Sequence, residues 1–246
     1  MKQPRVKVPG IIIRLAKNDD LEIKKIAKLE TAVWGENGAG ADKISARLNI
    51  FPAGSYIAEN KNNGEIVGYV CFQQVGDLRE QNNLTWFDIT DEGLTTKSHR
   101  PNGEYLYGIS LSVHYSMNGK KLAPALIAQA FLFMFSFNKK GYFVGSRIPM
   151  FKRYRNHYPQ TTAADYVKIR RRNGNLYDYE LHMYHAIGLN PVVAKVLPDF
   201  FPDPDSENYG ALLFDENTLY GQGEDKVNRA IKLLADQNFS SLKKMK

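Results

Sequence analysis

Cysteine is almost absent: of 246 residues only Cys71 is one. A disulfide framework and a multi-cysteine zinc site are therefore excluded. Cys71 lies in the apolar run 67–72 and reads as a small buried hydrophobe, the usual place for a free thiol. Long apolar runs are missing too. The longest, 122–137, is broken by Gln129 and Ser136 and falls short of the roughly 20 residues that span a bilayer. It reads as a buried helix. The polar start holds Lys2, Arg5 and Lys7, and Ile11-Ile12-Ile13 is too short for a signal-peptide core. A soluble, cytoplasmic protein is the expectation. No internal repeat or low-complexity tract appears. Hydrophobic residues at 43% and charged residues at 24% exclude a disordered or fibrous chain.

Charge of one sign is locally scarce. The chain carries a net +7, and residues 149–177 hold Lys152, Arg153, Arg155, Lys168, Arg170, Arg171 and Arg172 against Asp165 alone. Residues 198–208 are the reverse, with Asp199, Asp203, Asp205 and Glu207 and no base. A basic segment suits an anionic partner.

Residues 11–15 read as a strand. Asn18-Asp19-Asp20 offers N-cap chemistry, and Leu21, Ile23, Ile26, Ala27, Leu29 and Val33 recur near the helical period up to Trp34-Gly35. Residues 41–48 predict a second helix. Strands 55–59 and 66–75 flank a turn ending in Asn63-Gly64, a hairpin signal. Residues 77–103, with Trp86 and Phe87, read as a long loop or irregular hairpin. Strand 104–114 is expected to put Leu106, Gly108, Ser110, Ser112 and His114 on one face and Tyr107, Ile109, Leu111 and Val113 on the other. The buried helix covers 121–139 and closes on Asn138-Lys139-Lys140-Gly141. A strand at 142–148, helices at 162–172 and 177–187, strands at 191–197 and 209–214, and an amphipathic helix at 225–237 complete the pattern. The order is α/β, and one domain over 1–246 is the simplest organisation.

The junction Asn118-Gly119-Lys120-Lys121-Leu122-Ala123 joins a strand to the buried helix. A helix N-terminus presents unpaired N–H groups and partial positive charge, and it binds pyrophosphate where the backbone allows close approach. Gly119 permits that approach, and Lys120 and Lys121 add charge. Arg147 closes a buried strand, so it is expected to pair with a carboxylate or touch a ligand.

Three sets of residues resemble the GNAT superfamily, the N-acetyltransferases that use acetyl-CoA. The first is Ile109-Ser110-Leu111-Ser112-Val113-His114-Tyr115 running into residues 116–126. It is similar to a strand followed by an Arg/Gln-x-x-Gly-x-Gly/Ala loop, with Asn118 for the Arg/Gln, Lys121 for the first Gly and Ala123 for the second. The second is Tyr184 with Gly188-Leu189 before the strand at 191–197. The third is Gly145-Ser146-Arg147-Ile148-Pro149 with Leu197-Pro198-Asp199-Phe200 and Asn208-Tyr209-Gly210, which resembles a branch also found attached to nitrilase-like hydrolases.

The resemblance covers about 11–214. It implies a GNAT fold: a mixed, mostly antiparallel central sheet with helices on both faces, an enlarged insertion or lid at 149–177, and a C-terminal extension at 215–246 with a helix. It implies an acyltransferase moving an acetyl group from acetyl-CoA to the amine of an anionic or other small-molecule acceptor. The strand before the loop would splay from its neighbour. Leu111, Ser112, Val113 and 118–123 would hold the cofactor, the backbone N–H near Leu111 would stabilise an oxyanion, and Tyr184 would be the general acid for the departing thiolate. Ser146, Arg147, Tyr154, Glu180 and His182 are acceptor-side candidates; His114, Glu180 and His182 are candidates for a base. The alternatives are a catalytically silent CoA-binding module, or a thioester- or decarboxylase-type GNAT acting with an acyl-carrier protein. A homodimer stays open. No metal, membrane or nucleic-acid partner is expected.

Overall fold

The alternating pattern resolves into strands and helices in the computed structural model, which describes residues 8–186 and 192–236. The strands are β1 (Ile11–Leu15), β2 (Ser55–Asn60), β3 (Ile66–Val75), β4 (Tyr105–Val113), β5 (Gly141–Arg147), β6 (Val192–Leu197) and β7 (Gly210–Glu216). They form one sheet in the order β1-β2-β3-β4-β5-β7-β6. All neighbours are antiparallel except β4 and β5, which are parallel.

One face is covered by α1 (Asp20–Trp34) and α2 (Ala41–Ile50), whose Ile23, Ile26, Leu29, Ile44 and Leu48 pack on Ile57, Tyr69 and Tyr107. Asp19 caps α1 by accepting from the Glu22 N–H at 2.9 Å, as its sequence predicts. The other face is covered by α4 (Leu122–Ser136), α7 (Tyr179–Ala186) and α8 (Glu224–Ala235). All residues of α4 from Ala125 to Phe135 are buried, because the sheet lies on one side and α8 on another. Gln129 is accommodated there by donating to the Ala125 carbonyl at 3.2 Å.

Four expectations need correction. First, β4 does not alternate strictly. Cys71 pairs with Ser110 and Phe72 with Gly108, so Ile109 is an extra residue, a β-bulge. Tyr107 and Ile109 share one core, while Leu111 and Val113 pack against the other. Second, residues 162–172 are not one helix. Only α6 (Ala163–Tyr166) is helical, and Arg170 then bridges to Leu176 across a turn at Asn173-Gly174, where Gly174 takes φ 81°. Third, the C-terminal left-handed residue of α4 is Asn138 (φ 47°), while Gly141 opens β5. Fourth, 149–177 does not stand apart from the core. It forms α5 (Phe151–His157) as well as α6, and Phe151, Ala163, Tyr166 and Val167 join the core under α4. Its bases stay exposed. The loop 77–103 also carries a short helix, α3 (Trp86–Thr90), closed by a capping box between Thr85 and Asp88.

Candidate functional site

β4 and β5 run together only where Tyr105 to Gly108 pair with Gly141 to Val144. Beyond that point β4 keeps β3, β5 keeps β7, and the two part. A side chain at Gly108 would lie 2.2 Å from the Tyr142 hydroxyl, so glycine lets that ring seat against β4 at the apex of the fork. Successive peptide groups of a strand point to opposite sides. The His114 N–H reaches the Val67 carbonyl of β3 at 2.9 Å, so Val113 and Leu111 direct theirs away from β3, into the gap. The Ile109 carbonyl faces the same gap and accepts from Trp86 Nε1 at 3.3 Å.

At the far end of β4 a 3-10 turn, Tyr115–Met117, leads to Asn118, Gly119 and Lys120, all exposed. Gly119 has φ 75° and open space where a side chain would stand. Lys121 caps α4 in the left-handed conformation, φ 55° and ψ 28°. The resemblance places a glycine there, so the chain departs in residue type but keeps a backbone shape that favours glycine. Leu122 is buried and contributes only its peptide group, beside that of the half-buried Ala123. The N–H groups of a first helical turn have no partner within the helix. This loop therefore fits an anion such as pyrophosphate by backbone shape, dipole and two nearby ammonium groups.

The opposite wall is α7. Asp178 caps it, accepting from the N–H groups of Glu180 at 2.9 Å and Leu181 at 3.4 Å. The other Asp178 oxygen accepts from Met150 N–H and the Tyr166 hydroxyl, which ties the inserted segment to α7. Glu180 and Tyr184, four residues apart, share a helix face. Arg147 pairs with Glu180 at 2.5 Å and stacks 5.0 Å from the Trp34 ring, so its expected carboxylate partner is present. Burial outweighs that pairing and pushes the Glu180 carboxyl up to about 7. Tyr184 is buried, which holds its phenol well above its ordinary range and keeps it protonated. Gly188 and Leu189, quoted with Tyr184, lie outside the described residues.

Other candidates are placed differently. Ser112 is buried and turned towards α1, and the Ser146 hydroxyl donates to the Arg147 carbonyl at 2.8 Å. The Tyr154 ring packs among Tyr158, Tyr166 and Tyr177. His114 is bound into its own loop by Ser116. His182 is half-buried, with a buried Nδ1 that has no hydrogen-bond partner.

Three residues went unnoticed in the sequence. Trp86 reaches the Ile109 carbonyl at the fork, and Trp34 joins Arg147 to Ser112, donating to its hydroxyl at 2.7 Å. Glu30 is buried and accepts from both Ser110 and Ser112. A signal for Glu30 existed: it falls one turn after Ile26 on the apolar stripe of α1, where an acid is out of place.

A parallel pair that opens into a fork, with a glycine-led turn into the following helix, is the GNAT fold. Among solved structures, the loading GNATL domain of CurA from Lyngbya majuscula is similar with TM-score 0.69 and 20% identity, over 84% of this chain and 97% of that one. The GphF GNAT-like decarboxylase in complex with isobutyryl-CoA gives 0.66 and 18%, over 83% and 98%. The sequence is 26% identical over 192 residues to the "Uncharacterized N-acetyltransferase YkwB" of Bacillus subtilis (strain 168), 76% of this chain and 77% of that protein. It is 27% identical over 202 residues to the "Probable hydrolase YhcX" of the same organism, 82% of this chain but only 38% of that longer protein. No family model matches the chain.

Proposed function

We propose that the chain is an acyl-CoA-dependent acyltransferase that moves an acetyl group from acetyl-CoA directly to an amine. The observation that carries this reading is the fork, where Leu111 and Val113 offer N–H groups into a gap whose end is the α4 N-terminus. Donors fixed before reaction stabilise an oxyanion, by about 3 kcal/mol each in comparable sites. In this reading the loop 118–123 holds the phosphates, the Leu111 N–H polarises the thioester carbonyl, and Tyr184 gives a proton to the leaving thiolate. Trp34, Arg147 and Glu180 line the acceptor side. The named activity of YkwB agrees with it. Titration calorimetry with acetyl-CoA, followed by thiol release in the presence of amines, tests it. Saturable binding and amine-dependent release are expected; absence of binding would overturn the reading.

A second reading replaces the small amine by the thiol of an acyl-carrier protein. The exposed bases Lys152, Arg153, Lys168, Arg170, Arg171 and Arg172 favour it, because an acidic carrier would meet charge of opposite sign. A mass shift on a phosphopantetheinylated carrier, and none on free amines, would select this alternative.

A further inference from the structure

Glu30 is the buried ionisable group that the mechanism above leaves unused. The residue is 2% exposed, yet it sits behind the opened part of β4. One oxygen accepts from Ser110 Oγ at 2.8 Å and from Ser112 Oγ; the other accepts from the Ala39 N–H at 3.3 Å. The two serines differ. Ser112 is buried, and its oxygen already accepts from Trp34 Nε1 at 2.7 Å. Ser110 is half-buried and lies next to Leu111, past the point where β5 leaves β4. Among the described residues no further hydrogen bond reaches Ser110 Oγ, so its lone pairs are open.

We propose that Ser110 receives the acceptor amine and that Glu30, acting through it, takes up the amine proton. The inference rests on the transferase reading. As the amine nitrogen bonds to the thioester carbon, the C–S bond breaks. An N–H proton passes to Ser110 Oγ while the Ser110 hydroxyl proton passes to Glu30. The thiolate takes its proton from Tyr184, and exchange with solvent after product release reprotonates Tyr184 and takes the proton from Glu30. The charged and titratable groups that face Glu30 are Arg47 on α2 and Tyr69 and Cys71 on β3. Arg47 is buried, donates through Nε to the Gly93 carbonyl at 2.7 Å, and leaves one terminal nitrogen unpartnered.

The test uses the full chain, acetyl-CoA, and hydroxylamine as a small nucleophile that needs no recognition by the acceptor site. Glu30→Gln and Ser110→Ala should each lower hydroxylamine-dependent thiol release by about tenfold or more, with acetyl-CoA affinity unchanged. The double variant should be no slower than Glu30→Gln alone, because the two act as a unit. Ser110→Thr, which keeps a hydroxyl, should restore most of the rate. Wild-type rates in both single variants would overturn the inference and leave the transferase reading standing. A wild-type chain that binds no acetyl-CoA, or binds it and releases no thiol, would overturn both.

Discussion

Tyr184 and Glu180 occupy one face of a short helix, yet burial acts on them in opposite functional senses. For Tyr184 it secures the protonated phenol, the form a general acid needs. Replacing it by Phe keeps the ring's packing and removes only the hydroxyl. Folding and acetyl-CoA affinity should stay normal, while turnover falls by about ten- to a thousandfold, as steady-state thiol release would measure. For Glu180, burial raises the folded-state value from 4.5 to about 7. Between those two values the folded chain holds a proton that the unfolded chain has released. Stability from this group is therefore highest below pH 4.5, declines as pH rises towards 7, and is fully lost above it. Glu180→Gln removes the penalty. Its stability relative to the parent should grow between pH 5 and 8, by on the order of 2 kcal/mol. Thermal unfolding across that range checks it; a constant difference would show that Arg147 keeps the carboxylate ionised throughout.

In the proposed reaction the strand–turn–helix from β4 to α4 is the element on which cofactor binding would depend. Gly119 has a positive φ and an open Cβ direction, so a substitution there mixes backbone strain with the new group's charge. Asp and Asn are similar in size and both tolerate the left-handed region. Gly119→Asp should weaken CoA binding by more than about tenfold, and Gly119→Asn by much less, because only the former places an anion at a helix N-terminus. Calorimetry on the pair separates strain from charge; equal losses would point to strain alone. This element was readable in the sequence, since Asn118-Gly119 lies between two apolar segments of different period. The β-bulge at Ile109 was not: an extra residue in a strand leaves every residue type in place and only exchanges the faces that follow it. The helix expected at 162–172 failed for a related reason. Its composition suits a helix, but Asn173-Gly174 folds the chain back and Tyr177 N–H bonds to the Ile169 carbonyl at 2.8 Å. Glu30 and Trp34 join the site only because α1 crosses behind β4, a contact between residues some 80 positions apart along the chain.

At the scale of the whole molecule, one helix, buried without a break from Ala125 to Phe135, organises the half of the core that borders the fork. α4 packs on β3 and β4 and is sealed by α8, whose Leu234 is 1% exposed. Leu234→Asp would set an unpaired charge there, at a cost of several kcal/mol, about 4. That is a large part of the roughly 5–15 kcal/mol that holds a domain together. Circular dichroism should show a strongly lowered thermal midpoint; an unchanged midpoint would mean α8 is dispensable. No helix among the described residues is long and apolar enough to cross a membrane, so the apolar surface of α4 is accounted for by packing within the chain. The fork has a consequence of another kind. What β4 offers into the gap belongs to the peptide bond, and every codon except that for proline specifies the same N–H. Mutation can redraw the serines, tryptophans and arginine around that edge without erasing the donors. On the transferase reading, acceptor preference and carbonyl polarisation would thus be inherited separately: the first spelled out in side chains, the second carried by the path of the chain.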